Sequence, residues 1–113
     1  MMPRLRVLLC SSLVTFAALG CLPPPPSGPP DAAFVRLARC ESGGNPRAVS
    51  ASGRYHGLYQ FDVRTWNGVA RRVDPVWVGV APSAAPAAVQ TAMARQLHRE
   101  RGRQPWPVCG RRM

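Results

Sequence analysis

The chain has 113 residues, among them 15 Arg, no Lys and only five acidic residues, for a net charge of +10. That length leaves room for one small domain, and so basic a balance favours polyanionic partners. There is no C-x-x-C or H-E-x-x-H spacing, no Gly-rich phosphate loop and no G-x-S-x-G elbow, so neither a metal site nor a cofactor is expected.

The N-terminus reads as a segment apart. Arg4 and Arg6 precede an almost wholly apolar run over residues 7–19, and Ala18-Leu19-Gly20 offers the small residues a signal peptidase accepts, so residues 1–20 read as an export signal. The run is short for a membrane span, which needs about 20 apolar residues; the alternative is an uncleaved anchor. Cys10 would leave with the signal, and Cys21, Cys40 and Cys109 would remain, an odd number for an exported protein. Cys40 and Cys109 bracket nearly the whole folded part, so pairing them would close a long loop and add about 4 kcal/mol on a chain-entropy estimate. Cys21 follows A-A-L-G, which resembles a lipoprotein box with the modified cysteine as the new first residue. Lipid-anchored and freely secreted forms both stay open, and Cys21 is the one expected link to a membrane. After removal of the signal, 13 Arg face five acids. In an exported protein that surplus points to anionic cell-envelope polymers rather than nucleic acid. Arg95, Arg99, Arg101 and Arg103 include residues of a plain solvated face.

Residues 21–30 contain L-P-P-P-P-S-G-P-P, which forms neither helix nor central strand and reads as a semi-rigid spacer before a domain over 31–113. Asp31 is the expected N-cap of a first helix, with Phe34, Leu37 and Ala38 at helical spacing and Gly43-Gly44 as its stop. Residues 53–61, G-R-Y-H-G-L-Y-Q-F, suggest a short strand or hairpin. A second helix is expected over 63–73 with Trp66, Val69, Ala70 and Val73 on its apolar face, broken by Asp74-Pro75. A third runs over 87–101 with Val89, Met93 and Leu97 on one stripe, read as core packing, and Gly102 as its stop. The end, Q-P-W-P-V-C, is too rich in proline for helix and is expected to cross the domain so that Cys109 reaches Cys40. Trp66 and Trp106 are assigned to packing, and His98 to a polar helix face without function.

Within this frame Glu41 stands out. It lies seven residues after Phe34 and four after Leu37, so it continues the buried stripe of the first helix rather than the Arg36 face. Partial desolvation and the negative end of the helix dipole both favour the protonated acid and raise its pKa. A carboxyl of that kind before a glycine turn suits a general acid. The bland alternative is a terminal helix acid paired with a nearby Arg, and spacing alone leaves the two open.

E-S-G-G-N-P-R-A-V-S-A-S-G over 41–53 and G-L-Y-Q-F over 57–61 resemble the active-site signature of lysozyme-like lytic transglycosylases. With Cys40, T-W at 65–66 and W-P-V-C at 106–109, the chain more closely resembles the catalytic domain of the resuscitation-promoting factors. The resemblance covers nearly everything after residue 31. It implies a mainly helical, lysozyme-like α+β domain, tied by a disulfide and carrying a short strand or hairpin. It also implies cleavage of the β-1,4 bond between N-acetylmuramic acid and N-acetylglucosamine in peptidoglycan, with Glu41 as general acid and then base. Attack by the sugar's own 6-hydroxyl would make the enzyme a transglycosylase, and attack by water a muramidase.

The resemblance also assigns substrate-binding residues. Gln60 matches a glutamine lining the family's cleft, and its amide suits an N-acetyl group and a sugar hydroxyl. Thr65 matches a cleft threonine, with helix capping as its alternative. Tyr55 is a candidate sugar-stacking residue or a core residue. His56 stands where the family often has an aromatic residue or glycine. Asp62 is the single second acid the motif places near the cleft, and the scarcity of such acids favours a single-glutamate mechanism. The implied partners are peptidoglycan glycan strands, alongside other cell-wall hydrolases, for a protein expected to be a monomer. The rival readings are a glycan-binding module and a structural lipoprotein whose basic surface grips anionic polymers.

Overall fold

The computed structural model describes residues 28–113. The expected export signal, Cys21 and most of the Pro-rich spacer lie outside the described residues. Three α-helices carry the domain: α1 (Asp31–Ser42), α2 (Val63–Val73) and α3 (Ala87–Arg101), with short 3-10 turns at Pro75–Trp77, Pro82–Ala84 and Cys109–Arg112. Residues 53–61 pair less regularly than a hairpin would. Among the described residues the strand content is two isolated antiparallel bridges, Val49 with His56 and His56 with Phe61.

α1 buries Ala33, Phe34, Leu37 and Ala38, the stripe that 3.6-residue spacing dictates. Its start differs from expectation by one position. Pro30 occupies the N-cap without a side-chain bond, and Asp31 is the first helical residue. Proline's fixed backbone dihedral leads the chain into the helix, and the Asp31 carboxylate is drawn instead to the Arg95 guanidinium on α3. The stop comes where expected. Gly43 adopts a left-handed φ of 66°, and the Gly43 and Gly44 N–H groups close onto the Arg39 and Ala38 carbonyls. Ser42 donates its hydroxyl to the Leu58 carbonyl at 2.8 Å, joining the end of α1 to the turn that carries Gln60.

α2 begins at Asp62, whose Oδ1 accepts the Thr65 N–H at 2.8 Å while the Thr65 hydroxyl donates to Oδ2 at 2.8 Å. Trp66, Val69 and Ala70 are buried, but Val73 at the helix end is exposed and drops out of the expected stripe. Asp74 then caps the 3-10 turn over Pro75–Trp77. On α3, Met93, Ala94 and Leu97 are buried, Val89 partly so. These apolar faces meet Tyr59 and Phe61 from the central turn and Trp106 from the C-terminal crossing in one core, where each large side chain contributes about 1.5–3 kcal/mol. Both buried indoles keep a partner: Trp66 Nε1 donates to Trp77 O and Trp106 Nε1 to Tyr59 O, each at 3.0 Å. His98 is half-buried with its ring edge-on to Phe34, centroids 6.0 Å apart, so it packs α3 against α1 rather than lying on a polar face.

The C-terminal segment crosses the domain as its prolines require, and Cys109 is bonded to Cys40 with the Cα atoms 5.6 Å apart. The bridge spans 69 positions. It thereby fixes the last turn of α1 against the 3-10 turn over Cys109–Arg112.

Candidate active site

The disulfide and the α1 stop place Glu41 beside the C-terminal crossing. It is half-buried and lines a pocket of about 320 Å³ together with Tyr55, Gln60, Trp106, Pro107 and Val108. Burial holds its pKa above the ordinary glutamate value, because a carboxylate loses hydration there while a neutral acid loses little. Neither ion pair among the described residues involves Glu41; the pairs are Arg72 with Glu100 and Arg95 with Asp31. The alternative of an arginine-paired terminal acid is therefore not what the fold builds.

A second pocket of about 350 Å³ shares Tyr55, Gln60, Pro105, Trp106 and Pro107 with the first and continues to Asp62 and Thr65. Together they form one groove with Glu41 toward one end and the Asp62–Thr65 pair toward the other. Burial alone would raise the Asp62 pKa. The backbone and side-chain hydrogen bonds from Thr65, then the Arg54 charge, outweigh it and bring Asp62 below the usual aspartate value. Thr65 is thus both a groove residue and half of a helix cap, and Asp62 is the other half.

Glu41, expected as the catalytic acid, and Gln60, Thr65, Tyr55 and Asp62, expected to bind substrate, all line this groove. Tyr55 is exposed at 39 %, which removes it from the core and offers its ring to a ligand. Gln60 has a φ of 53°, a conformation that side-chain-bearing residues adopt rarely and that strained functional turns retain. Its Nε2 donates to Gly57 O at 2.9 Å, so the amide is oriented from within the turn and its Oε1 takes no donor among the described residues.

The turn itself is clamped by a residue the sequence reading passed over. Gln90 on α3 is 1 % exposed; its Oε1 accepts the Leu58 N–H at 2.8 Å, and its Nε2 donates to Ala85 O at 2.9 Å and Pro46 O at 3.0 Å. Gly57 makes room for it: a Cβ there would lie 2.2 Å from Gln90 Oε1. A glutamine beside an apolar stripe gives no periodic signal. Its one trace in the sequence is that an amide on a buried face needs several backbone partners. Trp106 was assigned to packing, and it also walls the groove; Pro105, Pro107 and Val108 were missed as lining, although W-P-V-C had already marked that segment. His56 lines neither of these two pockets; its Nδ1 lies 3.4 Å from the Ser83 hydroxyl.

Residues 28–109 match the family described as transglycosylase-like domain. The chain belongs to this family. Over 109 residues it is 33 % identical to resuscitation-promoting factor RpfC of Mycobacterium tuberculosis, covering 96 % of this chain and 71 % of that protein. It is also 33 % identical over 102 residues to resuscitation-promoting factor Rpf1 of Corynebacterium glutamicum, covering 89 % of this chain and 50 % of Rpf1. Over 70 residues it is 41 % identical to probable transglycosylase SceD 3 of Staphylococcus saprophyticus, with 62 % of this chain and 28 % of that one covered. The chain thus spans half of Rpf1 and under a third of SceD 3. The part of this transglycosylase-like chain that matches the family contains the whole groove.

Proposed function

We propose that this protein is a peptidoglycan-cleaving lytic transglycosylase of the resuscitation-promoting-factor type, with Glu41 as general acid and base at the bond between N-acetylmuramic acid and N-acetylglucosamine. The observation that carries this reading is a half-buried carboxyl, outside any ion pair and with a raised pKa, opening into a groove with polar groups along it. Such a group holds a proton at a pH where an exposed glutamate has lost it.

The chemistry then runs in two steps. Protonated Glu41 gives its proton to the glycosidic oxygen as the bond to C1 breaks and the muramic acid ring gains oxocarbenium character. N-acetylglucosamine departs with that proton on its 4-hydroxyl. The Glu41 carboxylate next takes the proton of the muramic acid's own 6-hydroxyl as that oxygen bonds to C1, which closes an anhydro ring and restores the acid. Asp62 stays ionised across the groove and favours the positive charge building on the ring. The Thr65 hydrogen bonds help hold its pKa low, which makes it a weak base and supports a single-glutamate route over activation of a water molecule. Gln60 offers Oε1 to an N-acetyl N–H, and Tyr55 offers a ring face to a sugar.

This reading places the protein outside the cytoplasm, acting as a monomer on glycan strands beside other wall hydrolases. Residues 1–20 serve as its export signal and Cys21 as the acceptor of a lipid in an anchored form, which the intact mass of the mature protein would reveal. Among the described residues no helix is long and apolar enough to cross a membrane. The deciding experiment is clearance of purified cell walls. Wild type is expected to lower their turbidity, and Glu41→Gln to slow this by about 10²–10⁴-fold, the range of a lost general acid. Equal clearance by the two proteins would remove Glu41 from catalysis. Glycan binding without clearance by wild type would make the domain a binding module.

A further inference from the structure

Beyond the Asp62–Thr65 pair the groove does not end. A third pocket of about 620 Å³ shares both residues and is also lined by Arg54, Arg64 and His56. Arg54 and Arg64 are exposed, and neither takes part in an ion pair among the described residues. Arg64 sits in the first turn of α2, which carries no acidic residue, a placement the helix dipole opposes. The guanidinium of Arg54 stands 5.6 Å from the centroid of the Tyr55 ring, at the outer reach of a cation–π contact, so it lies beside the groove rather than away from it. Asp62 is the one carboxylate in this pocket. Both of its oxygens accept from Thr65, and although Asp62 feels the Arg54 charge, no ion pair joins it to either guanidinium among the described residues.

Two unpaired cations at the open end of a sugar-sized groove are a site for an anion carried on the sugar. Resting on the proposed function, we propose that Arg54 and Arg64 bind a carboxylate borne on a side branch of the glycan strand, and so select charged wall strands over uncharged ones. The planar guanidinium fork suits a carboxylate. Peptidoglycan presents that chemistry in two places, the lactyl ether of muramic acid where the peptide has been removed, and the acidic residues of the peptide stem where it has not.

The test is binding by titration calorimetry, in a Glu41→Gln background so that strands stay intact, with three ligands: uncharged chitin oligosaccharide, peptide-free glycan strands with lactyl carboxylates, and stem-bearing strands. Changing both Arg54→Gln and Arg64→Gln is expected to raise Kd for carboxylate-bearing strands about tenfold, the size of one lost charge-assisted hydrogen bond. The uncharged oligosaccharide should bind within about twofold of the unaltered background. A loss on peptide-free strands alone assigns the lactyl carboxylate, a loss on stem-bearing strands alone assigns the stem, and a loss on both shows that the site takes a carboxylate from either source. Raised salt should weaken the charged ligands selectively. Equal losses on all three ligands, or none on any, overturn the inference. Wild type that binds all three ligands with this selectivity but releases no fragments overturns the proposed cleavage and leaves the carboxylate site standing. Both residues are exposed, so the variants should melt with the parent, which a thermal scan checks.

Discussion

Toward one end of the groove Glu41 stands on the last turn of α1, half-buried and outside any ion pair; toward the other, Asp62 opens α2 with both oxygens bonded to Thr65. Burial pushes both carboxyl groups toward the neutral form, yet Glu41 ends above its ordinary pKa and Asp62 below. Glu41 is the more deeply buried of the two, and the supply of donors widens the difference. A helix C-terminus presents carbonyls and has no N–H to offer a carboxylate, whereas a helix N-terminus presents N–H groups. In the proposed mechanism, one acid at each kind of helix end supplies one proton donor and one fixed charge, the division of labour by which paired carboxyls are assigned roles.

The comparison can be broken at each end separately. The largest effect on stability is expected from removing the disulfide that holds the Glu41 end. Replacing Cys40 and Cys109 by Ser should cost about 4 kcal/mol for a loop of this length, read in a denaturant titration; a loss under about 1 kcal/mol would mean that packing alone seats α1. At the shared centre, Gly57→Ala pushes a Cβ into Gln90 at a φ of 81°. A destabilisation of about 1–3 kcal/mol should accompany weakened glycan binding, because Gln60 rides on the same turn.

At the Asp62 end, Asp62→Ala removes the cap and should cost about 1 kcal/mol at neutral pH. The folded pKa is lowered, so this contribution is present above the unfolded value and is lost as pH falls through the folded one. The difference between wild type and Asp62→Ala should therefore shrink in acid. Glu41 predicts the opposite trend and a smaller effect. Its folded pKa is raised, so its contribution is present below the unfolded value and is lost as pH rises through the folded one. Glu41→Gln should then melt slightly higher than wild type at neutral pH and equal to it in acid. Parallel pH profiles for the two variants would remove the contrast between the ends.

Much of this was legible in the sequence where one physical rule governs. Phe34, Leu37 and Glu41 share a helical face by arithmetic, glycine stops α1 and α3, and proline forbids helix over the segment that carries Cys109. The register alone put Glu41 on the cleft side. What escaped notice depends on partners distant along the chain. Asp31 looked like a cap until Arg95, 64 positions away, drew its carboxylate. Gln90 reads as one polar residue in a helix, and its role exists only because Leu58, Ala85 and Pro46 converge on it. Thr65 could be cap or cleft residue from its motif, and the fold makes it both. The short strand or hairpin expected over 53–61 takes the form of two isolated bridges, one of which reaches back to Val49.

The most direct test of the central claim is mass spectrometry of fragments released from purified peptidoglycan by wild type and by Glu41→Gln. Wild type should release muropeptides ending in anhydro-muramic acid, and Glu41→Gln should release almost none. Reducing ends from wild type would contradict the transglycosylase step, and fragments in equal amount from Glu41→Gln would contradict the role given to Glu41.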